Sequence, residues 1–218
     1  MEENKSNYIE KAVAGGMFKF HEDGTVELGN IAANIIPVTS RVVEYYLLSK
    51  HFDEYKVNSI LYFSLKIQAR TAVKYIQEML GVKSKRKVIE MLFEQYKMVG
   101  FGKSEIIRWD EETKRVTIKR VNCPYAKHFK KLFGVQKKPI CHYQRGSPAG
   151  FLQELFGEEM VVIEKECVAQ NKSYCIEEAF PRRILDEMEL SESEMEQVPP
   201  RDEDIPEFDE IKNVLKFV

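Results

Sequence analysis

Cys141, Cys167 and Cys175 are three of the four cysteines in this 218-residue chain, gathered into one short stretch. Such thiols can close a disulfide, hold a metal, act as nucleophiles, or simply fill a core as small apolar groups. Spacing alone does not choose among these, because no CxxC pair is present. Topology narrows the field. MVVIEKECVA and SYCIEEAF read as two strands around Gln170-Asn171-Lys172. With Asn171 at the centre of a three-residue loop, residues whose numbers sum to 342 face each other, Cys167 and Cys175 among them. Facing Cβ atoms lie ~4.5–5.5 Å apart, close enough for two thiolates to share a tetrahedral ion with metal–sulfur bonds of ~2.3 Å. Cys141 is the obvious third donor. Glu164 is a candidate fourth, yet three residues before Cys167 it points to the opposite face of a regular strand. It joins only if the strand bulges near Lys165-Glu166. His142 is its rival, but it adjoins Cys141, and neighbouring residues rarely converge on one ion. Buried free thiols, a disulfide and a reactive pair stay open beside the metal.

The surroundings bear on that choice. The opening MEENKSNYIEKAVAGG is polar and mixed in charge, unlike a secretory signal. No run of eighteen apolar residues suggests a membrane span. A cytoplasmic, reducing setting is therefore expected, which disfavours a structural disulfide. The net charge of −2 conceals an asymmetry. Residues 186–218 carry 12 acidic and 3 basic side chains, whereas residues 1–185 are mildly basic. The acidic end contains Pro199, Pro200 and Pro206 and lacks a sustained period, so it reads as a mobile tail. Its last residues, FDEIKNVLKFV, are apolar enough to dock.

The elements that must position the cysteines follow from periodicity. Residues 17–31 alternate around Asp23-Gly24, a hairpin signal. A helix is expected after Pro37, capped by Thr39 or Ser40, with Val42, Val43, Tyr46 and Leu47 on one face. Residues 57–80 form the strongest helical stretch, with Ile60, Phe63, Ile67, Val73, Ile76 and Leu80 in phase and Gly81 as the stop. A third helix spans about residues 84–99. SEIIRWD and RVTIKRVN form a second hairpin, and YAKHFKKLF a short helix ending at Gly134. Ser147-Pro148 reads as a cap and first turn of a helix closed by Gly157. The order predicts an α+β domain with an antiparallel sheet packed against several helices.

Other signals point to structure. Gly100 and Gly102 lack the phosphate-loop spacing and read as a turn. Lys83, Lys85, Arg86 and Lys87, and again Lys130, Lys131, Lys137 and Lys138, are basic groups without a helix-turn-helix or finger pattern, so direct nucleic-acid binding is not expected. His51 and His128 form no triad with a nucleophile. Trp109 reads as core or pocket wall.

CHYQRGSPAG followed by VVIEKECVAQNKSYC resembles the 4-vinyl reductase-like domain family. The shared pattern is a cysteine (Cys141), a glycine pair (Gly146, Gly150), E-x-x-C (Glu164, Cys167) and a cysteine eight residues on (Cys175). MVGFGKSEIIRWD and VNCPYAKHF extend the resemblance to about residues 17–180. The long helix departs from it, with Ser64 and Ala69 where relatives carry small residues such as glycine. The resemblance implies a fold related to TRAPP vesicle-tethering subunits and the haem-NO-binding superfamily, a hydrophobic pocket, and a homodimer. It also implies a structural zinc held by Cys141, Glu164, Cys167 and Cys175, with Cys123 outside the pattern as a core or pocket-lining thiol. The implied pocket lies between the long helix and the helix beginning at Ser147. The domain plan is then an extension (1–16), a ligand-binding domain (17–185) and the acidic tail (186–218). The expected function is binding or sensing of a hydrophobic or aromatic small molecule, with output through a protein partner. The alternatives are an enzyme of tetrapyrrole metabolism, for which no nicotinamide or flavin fingerprint is present, and a protein-binding scaffold.

Overall fold

The computed structural model describes residues 18–23, 25–28, 31–33 and 36–205. The chain divides into two units, Met1–Pro37 and Val38–Phe217, with Val218 grouped with the first. In the first, β1 (Phe18–Phe20), β2 (Val26–Leu28) and β3 (Ile31–Ala33) form an antiparallel sheet in that order. The expected hairpin is its first half, with Phe20 opposite Val26. Asp23 shapes the turn by accepting from the Thr25 amide at 2.9 Å and hydroxyl at 2.7 Å, an Asx-type turn. Gly24 lies outside the described residues.

The second unit holds the cysteines. Its helices are α1 (Val38–His51), α2 (Glu54–Leu80), α3 (Lys85–Met98), α4 (Pro124–Phe133), α5 (His142–Phe156) and the single turn α6 (Glu192–Met195). Strands β4 (Lys103–Asp110), β5 (Arg115–Val121), β6 (Met160–Glu166) and β7 (Cys175–Pro181) form an antiparallel sheet ordered β4-β5-β7-β6. This is the α+β class that the sequence predicts. One core joins Phe63, Val73, Leu92, Phe151 and Leu152 to Val116 and Ile118 of β5. Another surrounds the four cysteines with Val42, Tyr45, Phe129 and Ile140.

Local chemistry sets the ends of α2. The Asp53 carboxylate accepts from the Lys56 amide at 2.9 Å, satisfying an orphan donor of the first turn. Gly81 closes the helix with φ +62°, a conformation that costs glycine little. The inward face is largely the one periodicity suggests, since Phe63, Ile67, Val73 and Ile76 are all buried. Ile60 is 68% exposed, whereas Tyr62, Phe63, Lys66 and Ile67 are buried. On α1 it is Val42 and Tyr45 that go inside, while Leu47 is 51% exposed. The reason is tertiary: Tyr45 packs on Phe129 of α4 with ring centroids 5.6 Å apart, and that contact selects the face.

Helix α5 begins at His142, not at Ser147, and Pro148 lies inside it. Proline at that position cannot donate to the carbonyl four residues back. The Ser147 hydroxyl takes over, donating to the Gln144 carbonyl at 3.0 Å, and the helix continues. Its two glycines meet α2. A Cβ on Gly146 would stand 2.1 Å from the Tyr62 carbonyl oxygen, and one on Gly150 would stand 2.2 Å from that of Lys66. The two backbones therefore touch, as small residues permit elsewhere.

Residues 186–205, read from composition as tail, lie along the body. The Gln197 side chain accepts from the Glu164 amide at 2.8 Å and donates to the Glu164 carbonyl at 3.0 Å. One side chain thus serves as the missing neighbour of β6, an edge strand. Arg182 donates to the carbonyls of Pro199 and Pro200 at 2.7 and 2.9 Å. Asp202 reaches the fully buried Lys66 ammonium at 2.6 Å and accepts from Gln153 at 2.6 Å. The terminal FDEIKNVLKFV stretch lies outside the described residues.

The Lys66–Asp202 pair yields a prediction with a definite sign. Burial pulls the Lys66 pKa below its ordinary 10.5, and Asp202 opposes that fall. Replacing Asp202 with alanine leaves an uncompensated buried cation, at a cost of about 3–5 kcal/mol. A lysine whose folded pKa is depressed binds fewer protons folded than unfolded, so stability rises with pH up to the unfolded value. Urea titrations near neutrality and near pH 10.5 should therefore show the deficit of Asp202→Ala shrinking at alkaline pH. A deficit that stays constant would mean the ammonium is not desolvated.

Candidate metal centre

The four donors arrive from three places in the fold. Cys141 is the residue before α5, Glu164 lies on β6, Cys167 follows that strand, and Cys175 opens β7. The β6–β7 register runs Glu164↔Glu177 and then Glu166↔Ile176, so the strand bulges at Lys165. This is the irregularity that Glu164 needs to share a face with Cys167. The loop is not the simple three-residue one. A 3-10 turn at Val168–Gln170 follows Cys167, and Asn171 takes a left-handed φ of 73°. Past the bulge the register still sums to 342, which carries Cys167 toward Cys175.

Cys141, Glu164, Cys167 and Cys175 each offer a ligand atom, and these atoms all lie within 4.8 Å of one another. All four side chains are buried. The Cys141 and Cys167 sulfurs are 3.8 Å apart. A disulfide needs ~2.05 Å, whereas two sulfurs on one tetrahedral ion with ~2.3 Å bonds stand ~3.8 Å apart. Glu164 Oε2 accepts from the Cys141 amide at 3.2 Å, while Oε1 is buried without any partner. Unpaired buried carboxylate oxygens are costly, and a cation is the partner this oxygen lacks. The donor set thus fits a divalent ion of the zinc type, whose closed four-ligand site organises structure and leaves no position for substrate.

Electrostatics agrees with the geometry. Burial, with the Cys167 sulfur beside it, pushes the Glu164 carboxyl well above the usual range. Burial and the neighbouring thiols likewise raise Cys141. Cys167, accepting from Cys141 and Cys175, is pushed down to about 3. An anionic sulfur is tolerated at Cys167 by taking hydrogen bonds from its neighbours. Ionising all four groups together requires a cation in their midst.

Buried arginines frame the cluster. Arg120 donates to both oxygens of Glu177 at 3.1 and 3.0 Å. Arg145 donates to the Val162 and Gln197 carbonyls at 2.7 and 3.0 Å. Its other nitrogen lies 2.7 Å from His142 Nδ1, and burial, then Arg145, keeps that imidazole well below its ordinary pKa. His142 is thus engaged with Arg145 and stands outside the cluster. Cys123, which sequence reasoning left outside the pattern, lies against the cluster. Its sulfur sits 3.7 Å from that of Cys141 and donates to Gln144 Oε1 at 2.8 Å. A pairing of the second hairpin with the last would have revealed it: β5 pairs Arg120 with Cys175, so the residues just after β5 end beside that cysteine. A cleft of about 240 Å³ adjoins the centre, lined by Glu54, Asn58, Lys138, His142, Ser193 and Gln197 among others. Its lining also includes Tyr55 and Pro139.

Fold and cluster together define an α+β domain with a buried three-cysteine, one-carboxylate centre, and comparison with known proteins agrees. Residues 117–178 match the model of the 4-vinyl reductase domain, a span that contains all four cysteines and Glu164. An uncharacterized protein of Methanocaldococcus jannaschii is 33% identical over 126 residues, 56% of this chain and 72% of that protein. The chain belongs to the 4-vinyl reductase domain family. The phenol-responsive sensory domain of the transcription activator PoxR, solved with phenol, superimposes with a TM-score of 0.74 at 16% identity, over 92% of this chain and 100% of that domain. A vinyl-4-reductase family protein from Methanocaldococcus jannaschii gives 0.44 at 26% identity over 68% and 83% of the two chains. A trafficking protein particle complex subunit 3 from Naegleria fowleri, covalently bound to palmitic acid, gives 0.47 at 12% over 66% and 95%.

Proposed function

We propose that this protein is a small-molecule sensing domain whose ligand is hydrophobic or aromatic and whose zinc, held by Cys141, Glu164, Cys167 and Cys175, locks the β6–β7 ribbon to α5. The observation that carries the reading is the correspondence in fold, over nearly the full chain, with a sensory domain solved around phenol. The metal part rests on the mutual proximity of the four donors and on the orphaned Glu164 oxygen. Ligand occupancy is transmitted to a protein partner through the ribbon and the strap that Gln197 pins to β6. The protein works as a homodimer in the cytoplasm. The exposed Leu47, Phe52 and Ile60 support pairing of two copies, and four free cysteines suit a reducing compartment. No helix among the described residues is long and apolar enough to cross a membrane.

The experiment uses metal-loaded protein and a panel of phenols, alkylbenzenes and fatty acids in a thermal-shift assay, with Trp109 fluorescence as a second readout. A ligand at a hundred times its dissociation constant stabilises by about 2.7 kcal/mol, roughly 5–11 °C for a domain of this size. Light scattering on the same sample should give twice the 25.5 kDa chain mass. If no member of the panel shifts the transition while the metal is present, the sensing assignment is wrong.

A further inference from the structure

Cys123 adds a fourth sulfur to a cluster that uses three. We infer that Cys123 is a reserve thiolate donor that replaces Glu164 when a thiophilic divalent ion such as cadmium occupies the centre, turning a three-sulfur, one-oxygen site into a four-sulfur site. This rests on the metal reading above.

The geometry supplies the argument. The Cys123–Cys141 separation is 3.7 Å, against 3.8 Å for Cys141–Cys167, a pair already within the donor set. Both match the ~3.8 Å edge of a zinc tetrahedron with ~2.3 Å metal–sulfur bonds, which a larger ion such as cadmium would spread. Cys123 is fully buried, so no solvent competes for it. Its position is fixed by the strand that also fixes a ligand, since β5 pairs Arg120 with Cys175. Pro124 then opens α4 and turns the chain, leaving Cys123 at the helix start with its side chain free of any capping duty. Its thiol spends its proton on the Gln144 side chain, a partner that can be given up.

Glu164 is the donor most easily exchanged. It is the one oxygen ligand in the set, and softer ions prefer sulfur. It sits beside the bulge at Lys165, and its carboxylate is held by the 3.2 Å contact from the Cys141 amide and by the Cys175 thiol. The exchange conserves charge and protons: the Cys123 thiol gives up one proton, and the departing Glu164 carboxylate takes one. Both donor sets carry four negative charges, so Arg120 and Arg145 face the same net charge before and after.

The test is a four-variant cycle in the full chain: wild type, Cys123→Ser, Glu164→Ala and the double variant, each titrated with cadmium against a chelator. Either single variant should bind within ~10-fold of wild type, because one fourth donor remains. The double variant should fall by ~100-fold or more, at least the upper end seen on losing an outer-shell partner. Glu164→Ala losing as much as the double variant would overturn the inference while leaving the metal centre intact. Wild type failing to bind cadmium or zinc would overturn both. Cadmium-113 NMR decides without altering Glu164. The wild-type resonance should lie in the four-sulfur range and move to the three-sulfur range in Cys123→Ser, and an unchanged resonance would count decisively against Cys123 as a ligand.

Discussion

Replacing Cys175 with serine should bring the bound metal from one ion per chain to near zero and lower the melting temperature by roughly 8–16 °C. Cys175 opens β7, opposite Arg120 of β5, and its ligand atom lies within 4.8 Å of that of Cys167. Its sulfur also accepts from the Val168 amide at 3.4 Å. A serine oxygen is shorter and harder, so it neither reaches the ion as sulfur does nor is ionised near neutrality. A metal present at about a thousand times its dissociation constant contributes about 4 kcal/mol, and each kcal/mol is worth about 2–4 °C in a chain of this length. The same loss should follow when wild type is treated with a chelator or moved to mildly acidic buffer, since protons compete with the ion for thiolates. The variant should be indifferent to the chelator. Elemental analysis beside differential scanning calorimetry reads both quantities, and undiminished metal in Cys175→Ser would refute the donor set.

Gly150→Ala should cost about 1–3 kcal/mol, with Gly146→Ala as severe or worse, and neither should change which atoms surround the ion. The added methyl of Gly150→Ala would meet the Lys66 carbonyl oxygen at 2.2 Å and the Ala69 methyl at 2.8 Å. A clashing side chain can rotate away, but a carbonyl inside a helix cannot, so α5 must lift off α2 along its length. The double variant tests additivity. Because one separation relieves both clashes, its cost should be less than the sum of the singles. Far-UV circular dichroism with urea titration provides the measurement. A neutral Gly150→Ala would mean that the helices do not meet through their backbones.

Much of the candidate centre was legible because its logic is local. The E-x-x-C spacing demands a bulge, and the register shift between Glu164 and Glu166 supplies it. Facing of Cys167 and Cys175 followed from strand periodicity, which survives errors in loop geometry because pairing beyond a bulge is set by the ladder. The resemblance, not spacing, brought Cys141 and Glu164 into a single set with zinc, and the structure places both beside the facing pair. The end of α2 was also readable, since Gly81 acts on its own backbone, whereas its start at Glu54, capped by Asp53, precedes the stretch that periodicity marks. The start of α5 was not. Ser147-Pro148 carries a strong N-terminal signal, but the Ser147 hydroxyl on the Gln144 carbonyl lets the helix run through the proline.

What the sequence by itself determined is the class of architecture, most element boundaries and the chemical nature of the donors, because these depend on residue type and on neighbours within a few positions. What only the tertiary structure decided is which face of α1 turns inward, that Cys123 stands beside Cys141, and that Gln197 and Asp202 bind an acidic segment to the body. Each of these is a contact between residues far apart in the chain. Composition marks residues 186–205 as solvated, yet one buried ammonium on Lys66 and one unpaired strand edge at Glu164 are enough to hold them, since desolvated groups without partners cost more than the ordering of a short segment.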